Sequence, residues 1–336
     1  MLRSALLTFR MHRFEVLITA AMVTLTAISA IVAYSHVSAA NPTDECWMQN
    51  WDFSGAVPDT PGCRASVEAF WPVASEAGFV ASPIATLLPF VIGLLLGVPV
   101  VGREIEMRTA TLAWSLSGDR HRWLLARLLP MLALAGVGLV VAAVLVAEMA
   151  RAAHPWNYLG PGRIPNLTEI GSEGMTLVGR GVMALGVAVL AGAMIGRTLP
   201  AFALGAVLCF AFIFGGAPTH QAVLGAQLSV WRSAPYGDEM SEAPHLYVGQ
   251  FRQEYRTSDG RVLGDEELWE ESGEELCGCT GHDFELWMQQ NVTRHELVVP
   301  IEAYGAFEVT ETALTSGIGT LALLLSFPVV ARRRPD

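Results

Sequence analysis

Lysine is absent from this chain of 336 residues, in which all 21 basic residues are arginine. A phosphate-binding loop of the Walker A type places a lysine on the β- and γ-phosphates, and Schiff-base enzymes need a lysine amine. The chain supplies neither group. If it uses the energy of ATP, another polypeptide must therefore hydrolyse the nucleotide.

Catalytic signatures are also missing. The sequence holds no His-Glu-x-x-His motif, no Gly-x-Ser-x-Gly motif and no cluster of Asp or His inside its apolar runs. These patterns are typical of zinc peptidases, of serine hydrolases and of membrane enzymes. We therefore expect that the chain itself is not an enzyme and holds no metal.

Charge is scarce as well, because only 16% of the residues are charged while 52% are hydrophobic and the mean hydropathy is +0.41. About 25% charge is usual in a soluble domain. Runs of about 20 apolar residues match the thickness of a bilayer, and helices satisfy their own backbone there. The sequence predicts an all-α integral membrane protein with six transmembrane helices, called spans 1 to 6, near residues 14–35, 80–101, 124–147, 176–196, 199–217 and 309–331.

The arginines indicate the orientation, since cytoplasmic loops are enriched in basic residues. Twelve arginines fall on one side if the six spans alternate: Arg3, Arg10, Arg13, Arg103, Arg108, Arg120, Arg122, Arg127, Arg197, Arg332, Arg333 and Arg334. Both termini are then cytoplasmic (N-in, C-in) and the localisation is the plasma membrane, multi-pass. Ser38-Ala39-Ala40 also resembles a signal cleavage site, but the preceding apolar stretch is longer than a usual signal core.

A sizeable external insertion is predicted between spans 5 and 6. Residues 218–308 hold 17 Asp or Glu against 5 Arg, and this acidic balance argues against a nucleic-acid partner. An extracytoplasmic protein or cationic peptide fits it better. We expect a re-entrant or interfacial helix after residue 218 and an amphipathic helix over 284–297. The chain is then divided into three parts, which are residues 1–231 with spans 1 to 5, the insertion 232–307, and residues 308–336 with span 6 and the tail.

Four cysteines, Cys46, Cys63, Cys277 and Cys279, fall outside in this topology, where disulfides persist. Three pairings are possible, and we favour Cys46–Cys63, which closes a loop containing prolines and a glycine. The other two could bridge each other, stay free, or hold a metal together with His282 and Asp283, of which the metal is the least favoured.

Ionisable residues within the spans lie toward the span ends. A proton- or sodium-coupled carrier usually keeps such groups near the midplane of the bilayer. Their absence there favours a protein whose energy comes from a separate polypeptide. Arg180 could pair with Glu148 or Glu311, as a structural tie or as a gate. Gly93-x-x-x-Gly97 permits close helix approach, more often within a chain than between chains.

The polar segment between spans 2 and 3 is called the inner connector here and comprises residues 103–123. It is too charged to cross a bilayer. Ile105, Thr109, Leu112 and Leu116 recur at near-helical spacing, which predicts one helix over 104–117 lying along the inner surface. Ser117-Gly118-Asp119 then ends this helix and caps span 3. The expected membrane-seating residues, at headgroup level and the membrane interface, are Arg120, Arg122 and Trp123.

The inner connector resembles the conserved segment of permease subunits of type-2 ABC exporters, particularly actinobacterial ones. The residues that carry the resemblance are Glu104-x-Glu106-x-x-Thr109-x-x-Leu112-Ala113-Trp114-Ser115-x-Ser117-x-x-Arg120-x-Arg122-Trp123. Spans 4 and 5 are similar to that family too. Arg108 stands where the family usually has Gly, Leu116 stands where Gln is common, and residues 232–307 match no pattern of the family.

The resemblance implies a coupling helix over 103–120 that docks on an ABC ATPase, which holds the ATP and magnesium, so this chain has no cofactor of its own. It implies a second permease copy or homologue around a central path, within membrane lipid. The expected ATPase contacts are Glu104, Glu106, Arg108, Thr109, Leu112, Trp114 and Ser117. The alternative is a non-transport membrane sensor or scaffold whose external acidic subdomain binds a ligand or protein.

Overall fold

The computed structural model describes residues 8–51, 62–117, 119–153, 174–235, 245–246, 253–264, 282–300 and 303–333. Within this part of the chain, six helices are long and apolar enough to cross a membrane. The all-α, six-span prediction for the membrane part is confirmed. The spans lie in the helices Arg13–Ala40, Cys63–Glu106, Arg120–Ala153, Gly174–Ile195, Thr198–Leu228 and Tyr304–Arg332.

Spans 2 and 4 form the centre of the membrane unit. In the most apolar window of each, 72% and 67% of the residues are buried, against 17% in spans 1 and 5. Glycines permit this contact, because a Cβ placed on Gly97 would lie 2.7 Å from the Cβ of Ala188, and one on Gly93 would lie 2.5 Å from that of Ala184. Gly93-x-x-x-Gly97 is therefore an intrachain packing motif.

The helix of span 2 is much longer than the bilayer requires. It begins at Cys63 rather than near residue 80 and runs without interruption to Glu106. A short helix, Asp44–Trp51, packs beside its first turns, where Cys46 and Cys63 form the favoured disulfide. Trp47 lies buried there, edge-on to Phe70 with 5.3 Å between the ring centroids.

Span 5 does not end near residue 217. An α-helix over Thr198–Ala211 continues through a π-helical turn, Phe212–Gly216, into a further α-helix, Ala217–Leu228. The prediction of a separate re-entrant or interfacial helix after residue 218 is wrong. Pro218 lies in the first turn of Ala217–Leu228, directly after the π-helical turn, where the missing N–H of proline is tolerated.

A second compact unit includes, among the described residues, 219–235, 245–246, 253–264, 282–300 and 303–307. It contains an antiparallel sheet of order β1-β5-β3-β4, formed by Val230–Pro235 (β1), Val292–Pro300 (β5), Gln253–Thr257 (β3) and Val262–Gly264 (β4). The short β2, His245–Leu246, also pairs with β5. The border we predicted between residues 231 and 232 falls within β1.

The amphipathic helix predicted over 284–297 is only partly right. The helix runs over His282–Asn291 and gives way at Val292 to β5. Val292, Thr293, Val298 and Val299 are β-branched residues that favour a strand. Tyr255, Leu263, Met288 and Val292 form the buried apolar cluster of this unit. Cys277 and Cys279 lie outside the described residues, as does the acidic run 265–275.

Candidate functional site

The inner connector is not one helix over 104–117. The helix of span 2 runs to Glu106, a turn follows at Met107 and Arg108, and a second helix covers Thr109–Ser117. Arg108 has a φ of 59° and is the only described non-glycine residue with a positive φ. The chain therefore changes direction here, and the apolar stripe we predicted across the turn does not exist as one face.

The left-handed backbone explains why the resembling family has glycine at this position. Helices commonly end in a left-handed residue, and a side chain there costs about 1–2 kcal/mol that glycine avoids.

Arg108→Gly is therefore expected to raise the free energy of unfolding by about 1 kcal/mol. The control is Arg108→Ala, which keeps a Cβ and should give no such gain. Denaturant titration of the purified chain in mixed micelles measures both, and equal stability of the two variants would contradict the prediction.

The connector helix turns one side toward the membrane unit. Ala110 is fully buried and Trp114 is 8% exposed, with its ring edge-on to Trp123 at a centroid distance of 5.6 Å. The guanidinium of Arg120 lies 4.8 Å from the centre of the Trp114 ring. Trp114 thus packs the connector helix against span 3, and its predicted contact with an ATPase remains a prediction. Trp123 is 7% exposed and belongs to the buried apolar core, and its predicted membrane-seating role remains a prediction.

The turn before the connector helix and another side of that helix carry exposed side chains. Met107 and Leu112 are 67% and 64% exposed, and Arg108 and Thr109 are exposed beside them. We call these four residues the docking face. The hydroxyl of Thr109 also donates to the carbonyl of Glu104 at 3.1 Å, which fastens the helix to the end of span 2. The side chain of Ser117 lies outside the described part of the structure.

Glu104 faces inward. It is 2% exposed, and its Oε1 lies 3.1 Å from Nε of Arg127 and 3.9 Å from Nε2 of His12. A buried carboxylate is tolerable only when it is paired, and this one ties the ends of spans 1, 2 and 3 together. The structure thus gives Glu104 a role within the membrane unit, and its predicted contact with an ATPase remains a prediction. The sequence signal we missed was Arg127, which we had used only as an orientation marker.

Glu106, two residues further on, has a different role. Its Oε2 accepts hydrogen bonds from the backbone N–H of Thr198 at 2.9 Å and from the Thr198 hydroxyl at 2.7 Å. Thr198 is the first residue of span 5, so the carboxylate caps a helix N-terminus, where the helix dipole favours negative charge. The end of span 2 is thereby joined to the start of span 5. An additional contact of Glu106 with an ATPase remains a prediction.

Arg120 joins the connector to span 6. Its Nη1 donates to the carbonyl oxygens of Ala331 at 2.7 Å and Arg333 at 2.6 Å, groups that a helix end leaves without internal partners. The structure thus gives Arg120 a contact between spans 3 and 6, and its predicted role at the lipid headgroups remains a prediction. Arg122 is exposed, and its membrane-seating role remains a prediction. Asp119 caps span 3 as expected, with Oδ1 accepting from the His121 N–H at 2.9 Å.

Two further ion pairs were ambiguous in the sequence. Arg180 donates through Nε to Oε1 of Glu311 at 3.0 Å, and the two residues are 5% and 1% exposed. Glu148 pairs instead with Arg151 on its own helix, where both side chains are about half exposed. The Arg180–Glu311 pair thus joins span 4 to span 6 and lies away from solvent.

At this end of the spans, then, polar contacts link the helices, while the four residues of the docking face are exposed. The model of a family described as ABC-2 membrane transporter related matches residues 13–218, which include spans 1 to 5 as far as Pro218 and the whole inner connector. No curated protein and no solved structure matches the chain. Family membership and six apolar helices together do not favour the sensor or scaffold alternative. The chain belongs to the ABC-2 membrane transporter related family and is a multi-pass membrane permease of an ABC transporter.

Proposed function

We propose that the chain is the membrane-spanning half of an ATP-driven exporter and that its docking face binds an ABC ATPase in the cytoplasm. The observation that carries the proposal is the exposure of Met107 and Leu112, at 67% and 64%. Met107 lies in the turn after span 2, and Leu112 lies on the nine-residue helix Thr109–Ser117, which is too short to cross the bilayer. Large apolar side chains in water beside an arginine are typical of an interface centre.

The orientation supports this assignment. Arg103 binds Glu15 at 2.9 Å, Arg127 binds Thr8 at 3.1 Å, and Arg333 donates to the Met194 carbonyl at 3.0 Å, so that these arginines gather at one end of the spans. Basic residues concentrate on the cytoplasmic side of membrane proteins. The docking face would then meet the ATPase where ATP is available, and the nucleotide and its magnesium would be held by that partner because this chain has no lysine.

The ties around the connector supply a route for mechanical work. A displacement of the docking face acts on span 3 through the Trp114–Trp123 contact, on span 5 through Glu106 and on span 6 through Arg120. Each link is a direct contact of a rigid side chain or a charged hydrogen bond, which is stronger than a neutral one. ATP-driven closure of the partner would thus tilt several spans together. The poorly buried spans 1 and 5 leave surface for lipid and for a second permease copy.

Leu112→Glu is expected to reduce the amount of ABC ATPase that co-purifies with the tagged full-length chain by at least about 30-fold, since a central interface residue is worth about 2 kcal/mol or more. The charge would be buried without a partner on docking. Quantitative mass spectrometry of the purified assembly measures the ratio of the two chains.

The matched control is Leu286→Glu, which makes the same change at a side chain that is 41% exposed in the second unit. This control should leave the ATPase ratio unchanged. Full retention of the ATPase by Leu112→Glu would refute docking through this face, and loss with both variants would point to a general folding defect.

A further inference from the structure

A cavity of about 320 Å³ lies between span 1, span 3 and the outer part of the long helix that contains span 2. Most of its lining residues are apolar, among them Ala30, Ala33, Val73, Ala77 and Val146. Its volume lies at the small end of the range for ligand clefts, about 300–1,000 Å³. It therefore suits part of an elongated molecule rather than a whole cofactor.

Two polar side chains of the lining are available to a ligand. Within the described part of the chain, neither His36 nor Glu76 has a hydrogen bond or ion pair to another side chain. The hydroxyls of the cavity are already used, because Thr26 donates to the Met22 carbonyl at 2.9 Å and Ser29 to the Leu25 carbonyl at 2.7 Å. The cavity thus offers one donor and acceptor imidazole and one carboxylate beside apolar walls.

The height of His36 matches that of a lipid headgroup. At 1.5 Å per residue, His36 lies about 35 Å along span 1 from Arg13, whereas the hydrocarbon core is about 30 Å thick. Thr26 and Ala30 lie about 9–15 Å below His36 on the same helix. The polar end of the cavity is therefore at the headgroup level opposite the arginine-rich side, and its apolar part extends into the adjacent leaflet.

We infer that this cavity binds one phosphatidylethanolamine molecule of the outer leaflet. Glu76 accepts hydrogen bonds from the lipid ammonium, the His36 imidazole donates to the phosphate, and the first part of an acyl chain lies along Ala30, Ala33 and Val146. Phosphatidylcholine has no N–H to offer the carboxylate, and phosphatidylglycerol has no cation. The inference is independent of ATPase docking; only the word outer depends on the proposed orientation.

Native mass spectrometry of the full-length chain in detergent, titrated with phosphatidylethanolamine, phosphatidylcholine and phosphatidylglycerol of identical acyl chains, tests the inference. We expect phosphatidylethanolamine to bind about tenfold more tightly than the other two lipids, because one charge-assisted hydrogen bond contributes about that much to the affinity. Glu76→Gln should abolish this preference. Glu68→Gln is the matched control: Glu68 is exposed on the same helix, is paired with Arg64 and does not line the cavity, so the preference should persist.

A second variant tests the apolar part. Ala33→Trp should fill the cavity and weaken binding of all three lipids to a similar extent, with an unchanged melting temperature showing that the chain still folds. Retention of the phosphatidylethanolamine preference by Glu76→Gln would overturn the inference, and so would unaltered binding by a folded Ala33→Trp. If Ala33→Trp fails to fold, the lipid preference of Glu76→Gln, a change at an exposed position, alone decides whether the inference holds.

Discussion

Arg180→Met is expected to lower the free energy of unfolding by about 3–5 kcal/mol, because it leaves a buried carboxylate without its partner. Arg180 and Glu311 are 5% and 1% exposed, and the pair joins spans 4 and 6. The double variant Arg180→Met/Glu311→Met should recover most of the loss, since an apolar pair of similar volume often replaces a buried ion pair at no net cost. Unfolding of the purified chain by denaturant in mixed micelles measures these differences.

The matched control lies on span 3. Arg151→Met removes the same kind of charge from a pair with Glu148, but these side chains are 49% and 48% exposed. An exposed ion pair contributes about 0–1 kcal/mol, so the effect should be small. A loss as small for Arg180→Met as for Arg151→Met would contradict the prediction.

The same variants separate a structural tie from a gate. If the Arg180–Glu311 pair only holds spans 4 and 6 together, the double variant should recover both stability and the ATPase activity of the reconstituted transporter. If the pair must open and close during transport, stability should return while the ATPase activity stays altered. The phenyl ring of Phe212 lies 5.9 Å from the Arg180 guanidinium, on the π-helical turn of span 5, so opening would also affect that span.

Gly319→Leu is expected to cost about 3 kcal/mol or more, at the upper end of the range for overpacking. A Cβ on Gly319 would lie 2.7 Å from Cα of Met183 and would also strike the Val182 carbonyl. Both are backbone atoms of span 4, which cannot give way as a flexible side chain can. The two helices would have to separate along their whole contact, and Gly319→Ala should give an intermediate loss.

Gly317→Leu is the control on the same helix, two residues away. A Cβ at Gly317 meets nothing within 4 Å, and the position is exposed. Leucine there should be neutral or slightly stabilising, because it favours a helix more than glycine does. Thermal unfolding followed by tryptophan fluorescence compares the variants. Similar melting temperatures for Gly319→Leu and Gly317→Leu would show that spans 4 and 6 are not in close contact.

The sequence predicted the six spans and the disulfide Cys46–Cys63 because both depend on local properties. A transmembrane helix is recognised from about 20 consecutive apolar residues, whatever they pack against. The motif of the inner connector is equally local, and the family match over residues 13–218 confirms what it indicated about the class of protein. The sheet of the second unit was not predicted, since Val230 pairs with Val298 across a long stretch of sequence.

What only the tertiary structure decided was the direction of each polar side chain at the inner ends of the spans. Glu104 and Glu106 looked equivalent in the motif, yet one is buried against Arg127 and the other caps span 5. The chain changes direction at the left-handed Arg108, and in the helix that follows, Trp114 packs against Trp123 of span 3 while Leu112 is exposed. Hydropathy places a helix in the membrane, but the rotation of that helix depends on neighbours that are distant in the chain.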